Sequence, residues 1–272
     1  MIYMKIINPP KFFLSAYLVL LLYFFILSFE VNAKTVYKRQ VRLGVPFATQ
    51  IPDGVWVKPY SQACEESSIV MIDEYYNGKT GVLGEQETKQ KMRPLFEYQN
   101  KIYGDNDNSN AYRTSDMIER VAHNFFSTVV ENPQLEDIKL ELMEGRPVIT
   151  FHHGYSLQNK NVPFLNTSSS FHTIVLVGYD DGDKQFIVHE PGMSNGNFIT
   201  YGYDIVMSSM SDYVHETGKT EGPPRALFTS PRKEEFMVSQ SRAASYTIQD
   251  LIQSNSIWNI FLFFINKNIF FS

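Results

Sequence analysis

Hydrophobic and polar positions follow different patterns along the chain, and the first pattern is a long apolar run. Residues Phe12 to Phe29 are almost all apolar, Lys5 and Lys11 precede them, and the short stretch VNA ends at Ala33. A basic start, an apolar stretch and small residues together predict a secretory signal peptide that is cut after Ala33. A run of about 18 apolar residues nearly spans a bilayer, so an uncleaved membrane anchor is the alternative. Both interpretations place the rest of the chain outside the cytoplasm.

The next pattern has the period of a helix. From Ser61 to Tyr76 the chain has no glycine or proline, and apolar residues recur at positions such as Ile69 and Ile72. This spacing predicts a helix, and Asn77-Gly78 is a typical stop signal. Cys64 therefore lies in the first turn of that helix. The preceding segment, KTVYKRQVRLGVPFATQIPDGVWVKPY, predicts an extended stretch followed by a loop.

Further helices and a hairpin follow. Residues 80–130 predict helices joined by the polar stretch GDNDNSN, and LEDIKLELMEGRPVITF predicts a helix that ends at Gly145 before a strand. The clearest strand signal is FHTIVLVGYDDGDKQFIVHEPG, in which two β-rich runs flank a turn at Asp181-Gly182. Helices come first and strands later, which predicts an α+β fold with the early helices packed on an antiparallel sheet.

Changes of composition near the two ends predict the domain boundaries. We expect a signal peptide or anchor at residues 1–33, one domain at residues 34–235 and a tail at residues 236–272. The tail ends in SIWNIFLFFINKNIFFS, whose apolar run is too short to cross a membrane. Docking on the domain, contact with a membrane surface and no function at all remain open for this tail.

Composition and charge exclude some functions. The chain is 43% hydrophobic and 19% charged, which is typical of a globular protein. A net charge of -5 leaves no basic surface for nucleic acid. Adjacent residues of a strand point to opposite faces, so His152-His153 is a poor pair of metal ligands. The stretch DNDNSN lacks the glycine and the final glutamate of a calcium loop. We expect neither a nucleic acid partner nor a metal or cofactor.

Cys64 is the only cysteine among 272 residues. Such a residue can be a small buried hydrophobe, whereas a catalytic cysteine must form a thiolate and needs something to lower its pKa. The start of a helix lowers the pKa of a thiol, and the negative charges of Glu65 and Glu66 raise it. A histidine base nearby would favour the catalytic role.

The predicted hairpin supplies a histidine with an acid beside it. If the strands pair around Asp181, His172 lies directly opposite Glu190, and the two Cβ atoms are about 4.5–5.5 Å apart on one face. A turn of another length would move Glu190 to a diagonal position and make His189 the neighbour. A cysteine on an early helix, followed by a histidine and an acid on later strands, is the order found in papain-like cysteine peptidases.

Four segments resemble the C39-like peptidases, a papain-fold family related to the peptidase domains of bacteriocin exporters. They are VPFATQIPDGVWVKPYSQACEESSIVM, GRPVIT, FHTIVLVGYDDGDKQFIVHEPGMSNGNFITY and MSSMSDYVHE, and the likeness covers roughly residues 40–230. The resemblance implies a papain-like α+β fold. It also implies Cys64 as the nucleophile, His172 as general base and acid, and Glu190 as the acid that orients His172.

The chain departs from the family pattern at the acid, and a second family feature can be met in two ways. Members usually have Asp before the Pro-Gly, so the side chain of Glu190 is one methylene longer. Members also carry a Gln upstream of the cysteine whose amide donates to the oxyanion. Gln50 and Gln62 each fit part of this pattern, and we favour Gln50.

Together these observations predict a cysteine peptidase, secreted or tethered to a membrane through its N-terminal segment. It would hydrolyse a bond in a peptide or protein substrate, or a related amide bond, through a Cys-His-Glu triad and an acyl-enzyme. Two alternatives remain. A thiol acyltransferase would use the same residues and pass the acyl group to an amine, and a non-catalytic surface binding module would keep the fold with a packing cysteine.

Overall fold

The computed structural model of the chain describes residues 37–162 and 170–232. The predicted signal peptide or anchor at residues 1–33 and the predicted tail at residues 236–272 lie outside these ranges, so the domain boundaries stay a prediction. Within the described ranges, no helix is both long enough and apolar enough to span a membrane.

Five α-helices occur in the described residues: α1 (Cys64–Tyr76), α2 (Glu85–Ile102), α3 (Ala111–Val121), α4 (Leu135–Met143) and α5 (Tyr203–Ser209). Helix α1 ends as predicted, because Asn77 caps it and Gly78 adopts a left-handed φ of +85°. It begins at Cys64 rather than at Ser61, since a short 3-10 turn, Tyr60–Gln62, precedes it. The cysteine is thus the first residue of the helix.

Nine β-strands occur in the same residues: β1 (Gln40–Arg42), β2 (Phe125–Glu131), β3 (Val148–His153), β4 (Phe171–Asp180), β5 (Gln185–His189), β6 (Ile199–Gly202), β7 (Tyr213–Val214), β8 (Lys219–Thr220) and β9 (Arg225–Pro231). Seven strands form one antiparallel sheet in the order β2-β9-β3-β4-β5-β6, and β1 also pairs with β4. Strands β7 and β8 form a separate ribbon.

Strand β2 corrects the expectation that residues 80–130 contain only helices. Its sequence, FFSTVVE, is rich in aromatic and β-branched residues, which fit a pleated sheet. It pairs along its whole length with β9, from Phe125 opposite Pro231 to Glu131 opposite Arg225. The pairing partner lies far along the chain, so the residues around β2 do not indicate it.

Two apolar cores lie on opposite faces of the large sheet. The core between α1 and the sheet includes Ile69, Met71, Ile72, Phe151 and Val175. The core between the sheet and helices α4 and α5 includes Ile138, Leu142, Ile174, Leu176 and Val206. Full burial of one such side chain is worth roughly 1.5–3 kcal/mol, so the cores hold the layers together. The predicted α+β class, with the helix that carries Cys64 packed on an antiparallel sheet, is confirmed.

Strand β4 carries one extra residue that changes its register with β5. Gly178 pairs with Ile187, whereas Leu176 pairs with Val188, so Val177 is the inserted residue of a β-bulge. Because successive side chains alternate between faces, one inserted residue exchanges the faces of all the residues beyond it relative to β5.

Strand β1 passes close to this bulge. Arg42 pairs with Gly178, and the N–H of Leu43 donates to the carbonyl of Val177 at 2.7 Å. A Cβ atom placed on Gly178 would lie only 2.2 Å from the carbonyl oxygen of Val41. The position therefore accommodates no side chain without displacing β1.

We predict that Gly178→Ala lowers the free energy of unfolding by about 1–3 kcal/mol, because the new methyl group overpacks the contact with β1. Gly44→Ala is the matched control, since its Cβ would lie 3.7 Å from Thr80 Cγ2, an ordinary contact. That variant should change stability by less than about 1 kcal/mol. Urea unfolding of both variants measures the difference, and equal stability would contradict a close approach of β1 to Gly178.

Candidate active site

Helix α1 begins at Cys64 and packs against β4. The cysteine is only 3% exposed. Its thiol donates to Glu65 Oε2 at 3.0 Å, and its sulfur accepts the backbone N–H of Thr173 on β4. Thr173 directly follows His172, so the thiol lies beside the backbone of the predicted base.

Burial and negative charge raise the pKa of Cys64 well above its ordinary value. Burial is the larger cause, and the charge and hydrogen bond of Glu65 come next. The N–H of Thr173 acts in the opposite direction, and it is outweighed. The thiol therefore keeps its proton at neutral pH, and the start of the helix does not by itself produce a thiolate.

The predicted base and acid are in direct contact. Nε2 of His172 lies 2.5 Å from Oε1 of Glu190, and both side chains are fully buried. The predicted register is nevertheless wrong, because Asp180 pairs with Gln185 and the turn therefore occupies residues 181–184. Glu190 consequently lies diagonal to His172 rather than directly opposite it. Diagonal neighbours on one face remain within reach of long side chains.

The bulge explains why the two residues share a face. If the pairing near the turn continued without Val177 as an extra residue, Glu190 would lie opposite Val175. Val175 belongs to the core under α1, whereas His172 alternates onto the other face, with Ile174. The inserted residue moves Glu190 to the face of His172. Beyond Val175, β5 no longer pairs with β4, which leaves the edge near Thr173 open to Cys64.

Neighbouring groups hold the carboxylate of Glu190 in place. The N–H of Gly192 donates to its Oε1 at 3.0 Å, and the hydroxyl of Tyr201 donates to its Oε2 at 2.9 Å. Its own N–H donates to the carbonyl of Gly196 at 2.9 Å. A Cβ atom on Gly196 would lie 2.0 Å from the carbonyl oxygen of Glu190, so a glycine is needed there. The longer glutamate side chain is thus fully engaged.

Tyr201 is a residue that the sequence analysis missed. Burial and the charge of Glu190 raise the pKa of Tyr201, so its hydroxyl keeps the proton that it donates. Tyr201 lies in β6, a strand of only four residues that pairs with β5. So short a strand gives only a weak signal in the sequence.

Gln50 and Gln62 both lie in the segment that leads into α1. Gln50 is 1% exposed, and its Nε2 donates to the carbonyl of Tyr60 at 3.1 Å. Its backbone N–H donates to the carbonyl of Pro191, next to Glu190, at 2.9 Å. Gln62 is half-buried in the 3-10 turn. Gln50 therefore links the start of α1 to the loop after β5, and the choice between the two amides as oxyanion donor stays a prediction.

Two other buried histidines have structural partners. His152 lies opposite His172 on β3, and its ring nitrogens lie 2.8 Å from the hydroxyls of Ser209 and Thr150. Burial, aided by His172, lowers the pKa of His152 to about 3. His189 donates from Nε2 to a backbone carbonyl at 2.8 Å and accepts a backbone N–H at Nδ1 at 3.1 Å. Burial lowers the pKa of His189 to about 4. Both rings are neutral near pH 7.

The polar stretch GDNDNSN links α2 to α3. The carboxylate of Asp105 accepts from Arg113 at 3.4 Å, and Lys58 pairs with Asp107. In residues 37–162 and 170–232, no group of three or more His, Cys, Asp or Glu side chains is placed to hold a metal ion. The acidic residues of this stretch are thus engaged with basic side chains.

Comparisons with known proteins concern the same region. The sequence model of the Peptidase C39-like family matches residues 42–218, more than half of the chain. A crystal structure of a Bacillus anthracis protein proposed to be a C39-like peptidase is 14% identical, with a TM-score of 0.44. That match covers 70% of this chain and 98% of the other. No curated protein gives a significant match. The family match includes Cys64, His172 and Glu190 in one continuous segment.

We predict that His152 makes the fold less stable as the pH falls from 7 to 5. The unfolded histidine, with a pKa of 6.5, binds a proton in this range, whereas the buried one, with a pKa of about 3, does not. The linked loss of unfolding free energy is about 2 kcal/mol. The variant His152→Gln lacks this histidine. When the pH falls from 7 to 5, its unfolding free energy should therefore rise by about 2 kcal/mol relative to that of the wild type.

Urea unfolding of the wild type and the variant at both pH values measures this difference. The wild type and the variant must be compared with each other, because the raised pKa of Glu65 makes both of them more stable as the pH falls over the same range. Equal pH dependence in wild type and His152→Gln would contradict a neutral His152.

Proposed function

Because the chain belongs to the Peptidase C39-like family, we propose that it is a cysteine peptidase with Cys64 as nucleophile, His172 as general base and Glu190 as the orienting acid. The observation that carries the proposal is the fully buried 2.5 Å contact between His172 Nε2 and Glu190 Oε1. It adjoins Thr173, whose N–H reaches the thiol. A thiol at a helix start, in contact with the residue that follows an imidazole held by a carboxylate, supports the proposal of a Cys-His-acid triad.

The two nitrogens of His172 would have different roles. Because Nε2 donates to Glu190, the neutral ring carries its lone pair on Nδ1. Nδ1 would take the thiol proton as Sγ attacks the substrate carbonyl carbon, and would then give that proton to the leaving amine. Between these steps the carboxylate of Glu190 would stabilise the positive imidazolium.

The raised pKa of Cys64 supports one order of events. Burial and the nearby carboxyl groups disfavour a thiolate before the substrate is attacked. The proton would therefore move to His172 during the attack of the sulfur rather than beforehand. Attack forms the Sγ–C bond and a tetrahedral oxyanion, whose collapse breaks the C–N bond and leaves an acyl-enzyme. Water, activated by His172, would then release the acid and restore the thiol.

The oxyanion needs donors about 2.7–3.1 Å away. Backbone N–H groups in the first turn of α1 have no partner within the helix and are suited to this role. The amide of Gln50 or Gln62 would add a side-chain donor. One N–H of Gln50 donates to Tyr60, and an amide has a second N–H to offer.

The proposed setting follows from the first residues of the chain. The apolar run and small-residue stretch within residues 1–33 support export or tethering to a membrane. The peptidase would then act on a peptide or protein outside the cytoplasm. Protein groups carry every step of the mechanism described above.

The proposal is tested by incubating the full-length chain with a complex peptide mixture and identifying new termini by mass spectrometry. We predict that Cys64→Ala and His172→Ala lower kcat/KM for a cleaved peptide by about 1000-fold or more. Glu190→Gln should lower it by about 100- to 10,000-fold, because the amide no longer stabilises the imidazolium. Glu190→Asp should lose less, since it keeps the charge.

His153→Gln, a half-buried neighbour on β3, is the matched histidine control and should retain cleavage within about twofold. Adding a primary amine separates hydrolysis from acyl transfer, since a transferase would form the new amide in place of the acid. Cleavage that survives Cys64→Ala would reject Cys64 as the nucleophile. A peptide mixture left intact by the wild-type chain would reject the peptidase and favour a binding module with a packing cysteine.

A further inference from the structure

Glu65 lies between the nucleophile and a distant part of the chain. It is fully buried, directly after Cys64 in α1. Its Oε2 accepts the thiol of Cys64 at 3.0 Å, and its Oε1 accepts the backbone N–H of Ser109 at 2.5 Å. Both carboxylate oxygens are therefore engaged, one by the thiol and the other by the loop between α2 and α3.

Ser109 is itself fixed to the two helices that flank its loop. Nε2 of Gln99 in α2 donates to its hydroxyl at 2.7 Å, and the hydroxyl of Thr114 in α3 donates to its carbonyl at 3.1 Å. Ser109 is fully buried. The donor that holds Glu65 thus belongs to a supported backbone, which fixes the direction in which Oε2 faces the thiol.

Three titratable groups face Glu65: Cys64 and Glu66 from the same helix, and His172 from β4. Burial raises the pKa of Glu65 to about 7, and the contacts with Cys64, Ser109 and His172 limit the rise. Burial and the charge of Glu65 raise the pKa of Glu66 well above its ordinary value. Adjacent buried carboxyl groups rarely ionise together. Glu66 therefore keeps its proton near neutral pH, and Glu65 is the group that ionises.

We infer that Glu65 is a positioning residue of the proposed peptidase, whose carboxylate holds the proton of the Cys64 thiol until His172 takes it. The inference rests on the proposed function for the fate of the proton, whereas the contact between thiol and carboxylate does not depend on it. A thiol that donates to a carboxylate is stabilised in its protonated form. Glu65 therefore competes with His172 for one proton, and the loop carrying Ser109 supports Glu65 in this competition.

Alkylation of the full-length chain with iodoacetamide reports on Cys64 alone, because the chain has a single cysteine. The rate is measured against pH for the wild type, Glu65→Gln and Glu66→Gln. Both variants replace a buried carboxyl by an amide of nearly the same shape, on adjacent positions of one helix. They differ in that Glu65 contacts the sulfur and Glu66 makes no such hydrogen bond in the described residues.

In Glu65→Gln, alkylation at pH 8 should be about tenfold faster, because loss of the negative acceptor lowers the thiol pKa by about one unit. The midpoint of the rate curve should move to lower pH by the same amount. In Glu66→Gln, the rate should change less than in Glu65→Gln, because the charge of Glu66 raises the thiol pKa less than the charge and hydrogen bond of Glu65 do. An unchanged curve in Glu65→Gln, or an equal shift in both variants, would overturn the inference.

Glu65→Asp separates the contact from the charge. It keeps a negative group and withdraws it by one methylene, so its rate curve should fall between those of the wild type and Glu65→Gln. A curve identical to that of the wild type would mean that the 3.0 Å contact does not hold the proton, which overturns the inference.

The wild-type chain offers a second measurement that requires no variant to fold. The infrared S–H stretching band of the single thiol should lie at lower wavenumber in the folded chain than in urea, because the folded thiol donates a hydrogen bond to a carboxylate. The same band position in both states would overturn the inference.

These measurements use no substrate, so they are independent of peptide cleavage. The expected tenfold shift in a chain that cleaves no peptide would support the thiol–carboxylate contact and reject the peptidase. Cleavage without any shift would support the peptidase and reject the role of Glu65.

Discussion

The active-site geometry depends on one inserted residue in β4. Side chains of a strand alternate between faces, so the extra residue Val177 decides whether the end of β5 faces α1 or the opposite core. With the insertion, Glu190 reaches His172 on a diagonal. Gly178 permits this because β1 passes where a side chain would stand. Packing of a short N-terminal strand is thereby coupled to the orientation of the proposed base.

Burial is the second constraint, because a buried charged group at the site is stable only when neighbouring groups pair with it or form hydrogen bonds to it. The pair of His172 and Glu190 is fully buried and fixed by further donors, as a buried ionisable pair must be. The neighbouring histidine His152 avoids charge altogether, and Glu66 does so by keeping its proton. The same burial that strengthens the orienting contact also raises the pKa of Cys64. A single physical cause thus favours the base and disfavours the thiolate.

Local sequence patterns were sufficient to predict the helix and the hairpin that contain the proposed catalytic residues. The helix that carries Cys64 and ends at Asn77-Gly78 was predicted from its periodicity and stop signal, although its predicted start, Ser61, lies three residues before the observed start. The hairpin was predicted from its β-rich runs. Its register was not, because the turn at residues 181–184 and the bulge depend on contacts with β1. Strand β2 was missed for a related reason, since its pairing partner, β9, is distant in sequence. The hydrogen bond from Tyr201 to Glu190 was missed because the two residues lie on different parts of the sheet.

The acidic pair after the cysteine has a different meaning in the sequence and in the folded chain. In the sequence, Glu65 and Glu66 are two equal negative charges that oppose a thiolate. In the structure, only Glu65 meets the sulfur, and Ser109 holds it there. A protonated thiol is less readily oxidised than a thiolate. If the chain is exported as proposed, Glu65 would protect its lone cysteine in an oxidising compartment, at the cost of a slower attack that His172 must assist.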